Sequence, residues 1–187
     1  MPQQKGGTGL GAHENISLRL TNYDDIFSNF DPRPYSERAL SVDFLEEAKR
    51  ASIDKPSGGL ELRLLLPARV RNFNYENVIK KRMRDHFYKH AAIIGRKHAK
   101  FIRSGLTFIA CGLVIMLFTA LVLFNYSRNG LLPQFLLVLF EPAGWFLFWE
   151  GLDQVVFESK KILPELEFYT KMAESNVGFF SISKKDP

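Results

Sequence analysis

Residues 104–124, SGLTFIACGLVIMLFTALVLF, contain no charged side chain. A helix crossing the hydrocarbon of a bilayer needs about 20 mainly apolar residues. A soluble chain of 187 residues has too little mass to cover such a helix on every side. The run therefore predicts a transmembrane helix. Gly105, Ala110, Gly112 and Ala120 give it small positions where another helix can come close.

A second run, residues 131–149, reads LLPQFLLVLFEPAGWFLFW. It carries Pro133, Gln134, Glu141 and Pro142, yet its length suits a second span. A re-entrant or surface-lying helix is the rival reading. Trp149, at the far end, suits an interfacial aromatic belt. Only residues 125–130 join the two runs, so the spans are expected to be antiparallel neighbours with a short external turn.

Charge gives the expected orientation. Residues 69–103 hold eleven Lys/Arg against Glu76 and Asp85, whereas the flanking parts are slightly acidic. Arg84, Lys89, Arg96, Lys97, Lys100 and Arg103 precede the first span, Lys160 and Lys161 follow the second, and the turn has only Arg128. The positive-inside bias then predicts a multi-pass protein with both termini in the cytoplasm. The start, MPQQKGGTGLGAHEN, lacks the apolar core of a secretory signal, so the first span is expected to act as an internal signal anchor. Cys111 is the sole cysteine, which excludes an intrachain disulfide framework.

The expected fold is a membrane α-helical hairpin of two transmembrane helices with a small cytoplasmic α/β cap built on long helical extensions. Residues 1–15 read as a disordered tail and residues 16–74 as the α/β part. Within the latter, residues 16–20 (ISLRL) suggest a strand. Leu40, Phe44, Leu45 and Ala48 suggest a helix over 37–51 capped by Ser36. The KPSGG stretch is a breaker, and residues 60–66 suggest a second strand ended by Pro67. Residues 75–103 predict a basic pre-membrane helix, capped by Asn74, that continues into the span at 104–124 unless Gly95 or Gly105 interrupts it. Residues 150–187 predict a cytoplasmic helix, kinked or ended at Leu163-Pro164, and a last strand, VGFFSIS, pairing with residues 60–66. Complementary charge on the two extensions adds little, since exposed pairs contribute about 0–1 kcal/mol each.

Several segments, in order, resemble an uncharacterised family of small two-span bacterial membrane proteins. They are DPRPYSERAL (31–40), LLLP (64–67), MRDHFYKHA (83–91), GWFLFWEGLD (144–153) and YTKMAESNVGF (169–179). The resemblance covers most of residues 30–180. Glu150-Gly151 stands where that pattern favours Arg-Pro, and Glu141 where it is usually apolar. The resemblance implies the two-span topology and carries no activity.

Candidate chemistry is sparse. His86 and His90, four apart on a helix, are weak metal candidates, but Phe87 stands where a zinc protease would have Glu. No cofactor or catalytic motif is legible, and the balance is against an enzyme. Glu141 is the intramembrane oddity. A carboxylate at the bilayer centre costs about 2.5–3.5 kcal/mol on insertion scales, so it normally faces protein or water; the plainer reading is a span whose register slides, with Glu141 protonated or beside Ser104, Thr107 or Thr119 of some helix. Lys80, Lys81, Arg82, Arg84, Arg96, Lys97, Lys100 and Arg103 precede a span, which favours anionic lipid headgroups over nucleic acid. The leading expectation is a non-enzymatic anchor, adaptor or accessory subunit of the bacterial inner membrane, as a homo-oligomer or within a larger membrane complex. The alternatives are an oligomeric channel or ion-coupled transporter using Glu141, and a metal-dependent membrane enzyme using His86 and His90.

Overall fold

The computed structural model describes residues 15–55, 59–125 and 130–182. The expected tail, the turn with Arg128, the middle of the KPSGG breaker and the last charged residues lie outside them, apart from Asn15. The chain forms two compact units, one of residues 1–91 with 167–187 and one of residues 92–166.

The first unit is built on a three-stranded parallel sheet in the order β1-β2-β3: β1 is Asn15–Arg19, β2 Glu61–Pro67 and β3 Asn176–Ile182. The expected pairing of the last strand with residues 60–66 is present, Glu61 opposite Asn176 through Pro67 opposite Ile182. Side chains alternate across a strand, so one face collects two apolar rows, Ile16–Leu62–Val177 and Leu18–Leu64–Phe179. These rows are buried, Leu62 and Leu64 fully so, as is Leu66 further along β2. Gly59, at φ 71°, turns the chain into β2 in a backbone region that favours glycine.

Helix α1, Val42–Ser52, adds Phe44 and Ala48 to this core. It begins later than the expected residue 37, because backbone groups there are bonded elsewhere. The Ala39 N–H donates to Asp31 Oδ2 at 2.7 Å, and Leu40 bridges Phe27. The Arg33 guanidinium and the Ala39 N–H hold the Asp31 carboxyl well below the usual range. Ser36 therefore caps nothing, and Ser41 precedes the helix without a side-chain cap bond.

Helix α2, Phe73–Asn125, runs unbroken past Gly95 and Gly105. Its start is capped by Asn72 rather than Asn74: Asn72 Oδ1 accepts from the N–H groups of Asn74 (3.0 Å) and Tyr75 (3.4 Å). Ile79, Met83 and Phe87 of α2 are fully buried in the core of the first unit. Helix α3, Leu131–Asp153, is followed by a π-helical turn, Gln154–Glu158, and then by α4, Ser159–Glu174. The irregularity therefore falls before Pro164, which α4 passes through. Phe168 and Met172 of α4 return to the core of the first unit.

In the second unit α2 and α3 are antiparallel and meet backbone to backbone. Gly105 is matched to Gly151 and Gly112 to Gly144. A Cβ on Gly151 would lie 2.5 Å from the Gly105 oxygen, and one on Gly112 2.7 Å from the Phe148 nitrogen. The larger side chains point outward, including Leu113, Leu117, Phe135, Val138 and Phe146. Two helices are long and apolar enough to cross a membrane by length and composition, and only 11% of the most apolar stretch of each is buried. Helices of this kind are the reverse of a soluble core, whose apolar side chains face inward.

The glycine contacts make a directional prediction. Gly151→Ala should destabilise the helix pair by about 1–3 kcal/mol, because a backbone oxygen cannot move aside. Gly95→Ala meets only Leu166 Cδ1 at 3.7 Å, and should be neutral or stabilising by up to about 1 kcal/mol. Thermal unfolding of both variants in the same mild detergent separates them; equal shifts would refute the contact.

Candidate functional site

The first unit brings one charged network into its interior. Glu76, 3% exposed, receives both nitrogens of the Arg71 fork, Nε to Oε1 at 2.8 Å and Nη2 to Oε2 at 3.0 Å. The Tyr23 hydroxyl donates to Glu76 Oε1 at 3.1 Å and accepts from the Asn72 N–H at 2.8 Å. Arg71 Nη1 reaches Ser181 Oγ on β3 at 3.1 Å. Burial pushes the Glu76 carboxyl up, and the Arg71 and Tyr23 hydrogen bonds more than offset it, leaving its pKa below the ordinary carboxylate range. Every polar group here has a partner, so the network locks the start of α2 to the loop after β1 and to β3. Sequence reading passed over it, because an isolated Tyr, Arg and Glu leave no spacing signal.

His86 and His90 do come together, as their i, i+4 spacing requires, but face to face. Their ring centroids are 4.2 Å apart with planes 29° from parallel, and His90 stacks on Tyr169 at 5.1 Å and 18°. Burial, followed by the nearby His90, Arg82 and Lys89, holds the His86 imidazole down at about 4. His86 Nε2 is buried without a hydrogen-bond partner among the described residues. No group of three metal-ligating side chains gathers among the described residues. The pair acts as aromatic packing between α2 and the end of α4.

The basic residues divide by position. Lys80 Nζ lies 5.7 Å from the Phe179 ring centroid, and Arg82 Nε donates to the Arg38 carbonyl at 3.0 Å. These two are engaged within the first unit. Lys81, Arg84, Arg96, Lys97, Lys100 and Arg103 are exposed. Lys97 and Lys100 open onto a cavity of about 620 Å³ in the second unit, which Glu150, Asp153 and Glu158 also line. The expected charge pairing does not form there: no salt bridge among the described residues includes Lys97, Lys100, Glu150 or Asp153.

Glu141 sits in the middle of α3 and is exposed. The threonines considered as its neighbours are used locally: Thr107 and Thr119 donate to the carbonyls of Arg103 and Ile115, both at 2.9 Å. Pro142, the next residue, leaves one backbone carbonyl of α3 without its usual donor. No family model, curated protein or solved structure matches the chain.

Two titrations follow from this geometry. Glu76→Ala leaves Arg71 and Tyr23 without their acceptor and should cost about 3 kcal/mol. The contribution of Glu76 is complete above its unfolded pKa of about 4.3 and is lost as pH falls through the lower folded value. His86 has its folded pKa depressed to about 4 from 6.5, so it lowers stability progressively as pH falls through that window. Urea unfolding followed by hydrogen exchange of the β2 amides should show a decline below pH 6.5 that His86→Phe reduces. A pH profile unchanged by that substitution would contradict the assignment.

Proposed function

We propose that the chain is a non-catalytic membrane anchor or adaptor, crossing the bilayer twice, with the α/β unit and both termini in the cytoplasm of a bacterial cell. One observation carries the reading: two long helices whose large apolar side chains face outward, joined to a unit whose apolar side chains face inward. About 25 cal/mol is recovered for each Å² of such apolar surface removed from water, and lipid is the environment that removes it.

The sheet supports an even number of crossings without reference to charge. β2 precedes the first long helix, β3 follows the last, and the two are hydrogen-bonded neighbours. This supports a placement with both flanks on the same side of a membrane, the two helices crossing together. Arg96, Lys97, Lys100 and Arg103, within three turns of the uncharged run, support the cytosol as that side. The exposed members of the basic set would meet anionic headgroups there, each worth about 1 kcal/mol near the surface. The ordered resemblance to two-span bacterial proteins supports the same placement.

Glu141 supports self-association or assembly into a larger complex. On a lone hairpin this carboxylate would face lipid, at a cost of about 2.5–3.5 kcal/mol if charged. A second copy placed against that face gives it protein surroundings. The same observation supports one alternative, an oligomeric ion-coupled channel or transporter in which Glu141 carries the ion, since one hairpin cannot enclose a pore. The metal-enzyme reading has no comparable support, because its two imidazoles stack on each other.

Carbonate washing of membranes should leave the full chain in the pellet, and a reporter at Asn129 should respond as external. Extraction by carbonate or a cytosolic reporter would overturn the topology. Lysine crosslinking in native membranes should give multimers that Glu141→Leu weakens, and a chain that stays monomeric would remove the assembly reading. Flux in liposomes abolished by Glu141→Gln would instead favour the transporter.

A further inference from the structure

The cavity between α2 and the end of α3 holds charges of both signs that are not spent on each other. Lys97 and Lys100 are three apart on α2 and share a face, and Ser104 extends that face. Glu150 and Asp153 come from the end of α3, with Gln154 at the first position of the π-helical turn. Gln154 Nε2 donates to Glu150 Oε1 at 3.0 Å, which holds that carboxylate against the wall of the cavity. Glu158 is engaged by Lys161. Two lysines of α2 and two acidic residues from the end of α3 therefore line the same cavity of about 620 Å³.

A pocket of one sign would select an ion of the other. A balanced pocket with separated signs suits a zwitterion that presents an anion to one wall and a cation to the other. Depth narrows the class. Lys100 lies one turn before the uncharged run at Ser104, and Glu150 follows Trp149, the last residue of the second run. In the membrane-spanning reading, on which this inference rests, that is the headgroup layer.

We propose that this cavity binds the phosphoethanolamine headgroup of an aminophospholipid. The phosphate lies against Lys97 and Lys100, and the primary ammonium donates to Glu150 and Asp153. A choline headgroup has the same charges but no N–H to donate. A glycerol headgroup keeps the phosphate and offers the carboxylates no cation.

Native mass spectrometry of the full chain in non-ionic detergent tests this, with phosphatidylethanolamine, phosphatidylcholine and phosphatidylglycerol of identical acyl chains. The ethanolamine lipid should be retained roughly three- to tenfold better than the choline lipid, the range expected for two charge-assisted contacts near the surface. Glu150→Gln with Asp153→Asn should erase that preference while phospholipid binding persists. Lys97→Gln with Lys100→Gln should weaken retention of all three. Equal retention by the unsubstituted chain, a preference for phosphatidylglycerol, or a preference surviving the acidic double substitution would each overturn the proposal. Glycerophosphoethanolamine, the soluble form of the same group, is a further arm; binding of it with no lipid retained would reassign the cavity to a soluble ligand. Carbonate washing of the same variants reports membrane insertion separately, so loss of lipid preference with the chain still in the pellet counts against the cavity alone.

Discussion

The pairing of β2 with β3 is the constraint from which the rest follows. These strands are neighbours in space, yet everything in residues 68–175, including both long apolar helices, lies between them in the chain. Parallel neighbours need a crossover connection, and here that connection is the apolar hairpin itself. The middle strand makes the two rows that seat α1, the start of α2 and the end of α4. Loss of this ladder would leave β2 with only β1, and two strands rarely persist alone. The Arg71–Glu76 pair, reaching Ser181 on β3, fastens the same junction with buried charge.

The two units solve opposite solvation problems. The first turns Leu62, Leu64, Leu66, Ile79, Met83 and Phe87 inward, as a water-soluble core must. The second turns Leu113, Val114, Phe135, Val138 and Phe146 outward and brings glycines together inside. With its large apolar side chains turned outward, the helix pair is held by close backbone packing at the glycines, the arrangement that helices in hydrocarbon rely on. Glu141 is an acidic exception on that exposed apolar surface.

The large features were legible because each rests on a physical period or length. The uncharged runs, the strands at residues 16–20 and 60–66, and the partner of the last strand could all be read from the sequence. Boundaries were less so. Asn72 and Asn74 are both good caps, and only the fold around Tyr23 decides between them. The late start of α1 depends on Asp31 taking the Ala39 N–H, a contact between loop residues without periodicity. Leu163-Pro164 suggests a kink or an end, whereas the chain places its irregularity in the preceding π-helical turn and carries α4 through the proline. At the candidate sites, spacing put His86 beside His90 but could not foretell that the rings stack rather than converge. Charge counting found both walls of the cavity without showing that Lys97 and Lys100 stay clear of the carboxylates opposite.

The glycine seam carries one more implication. Where Gly105 meets Gly151 and Gly112 meets Gly144, peptide backbone, which is the same in every protein, approaches peptide backbone, with Ile109, Met116 and Val155 close around it. A joint of that kind has no vocabulary with which to choose among partners. Whatever the hairpin discriminates must be written away from that seam, on its outer surface or in the cavity lined by Lys97, Lys100, Glu150 and Asp153, leaving evolution free to redraft those parts while the seam stays closed.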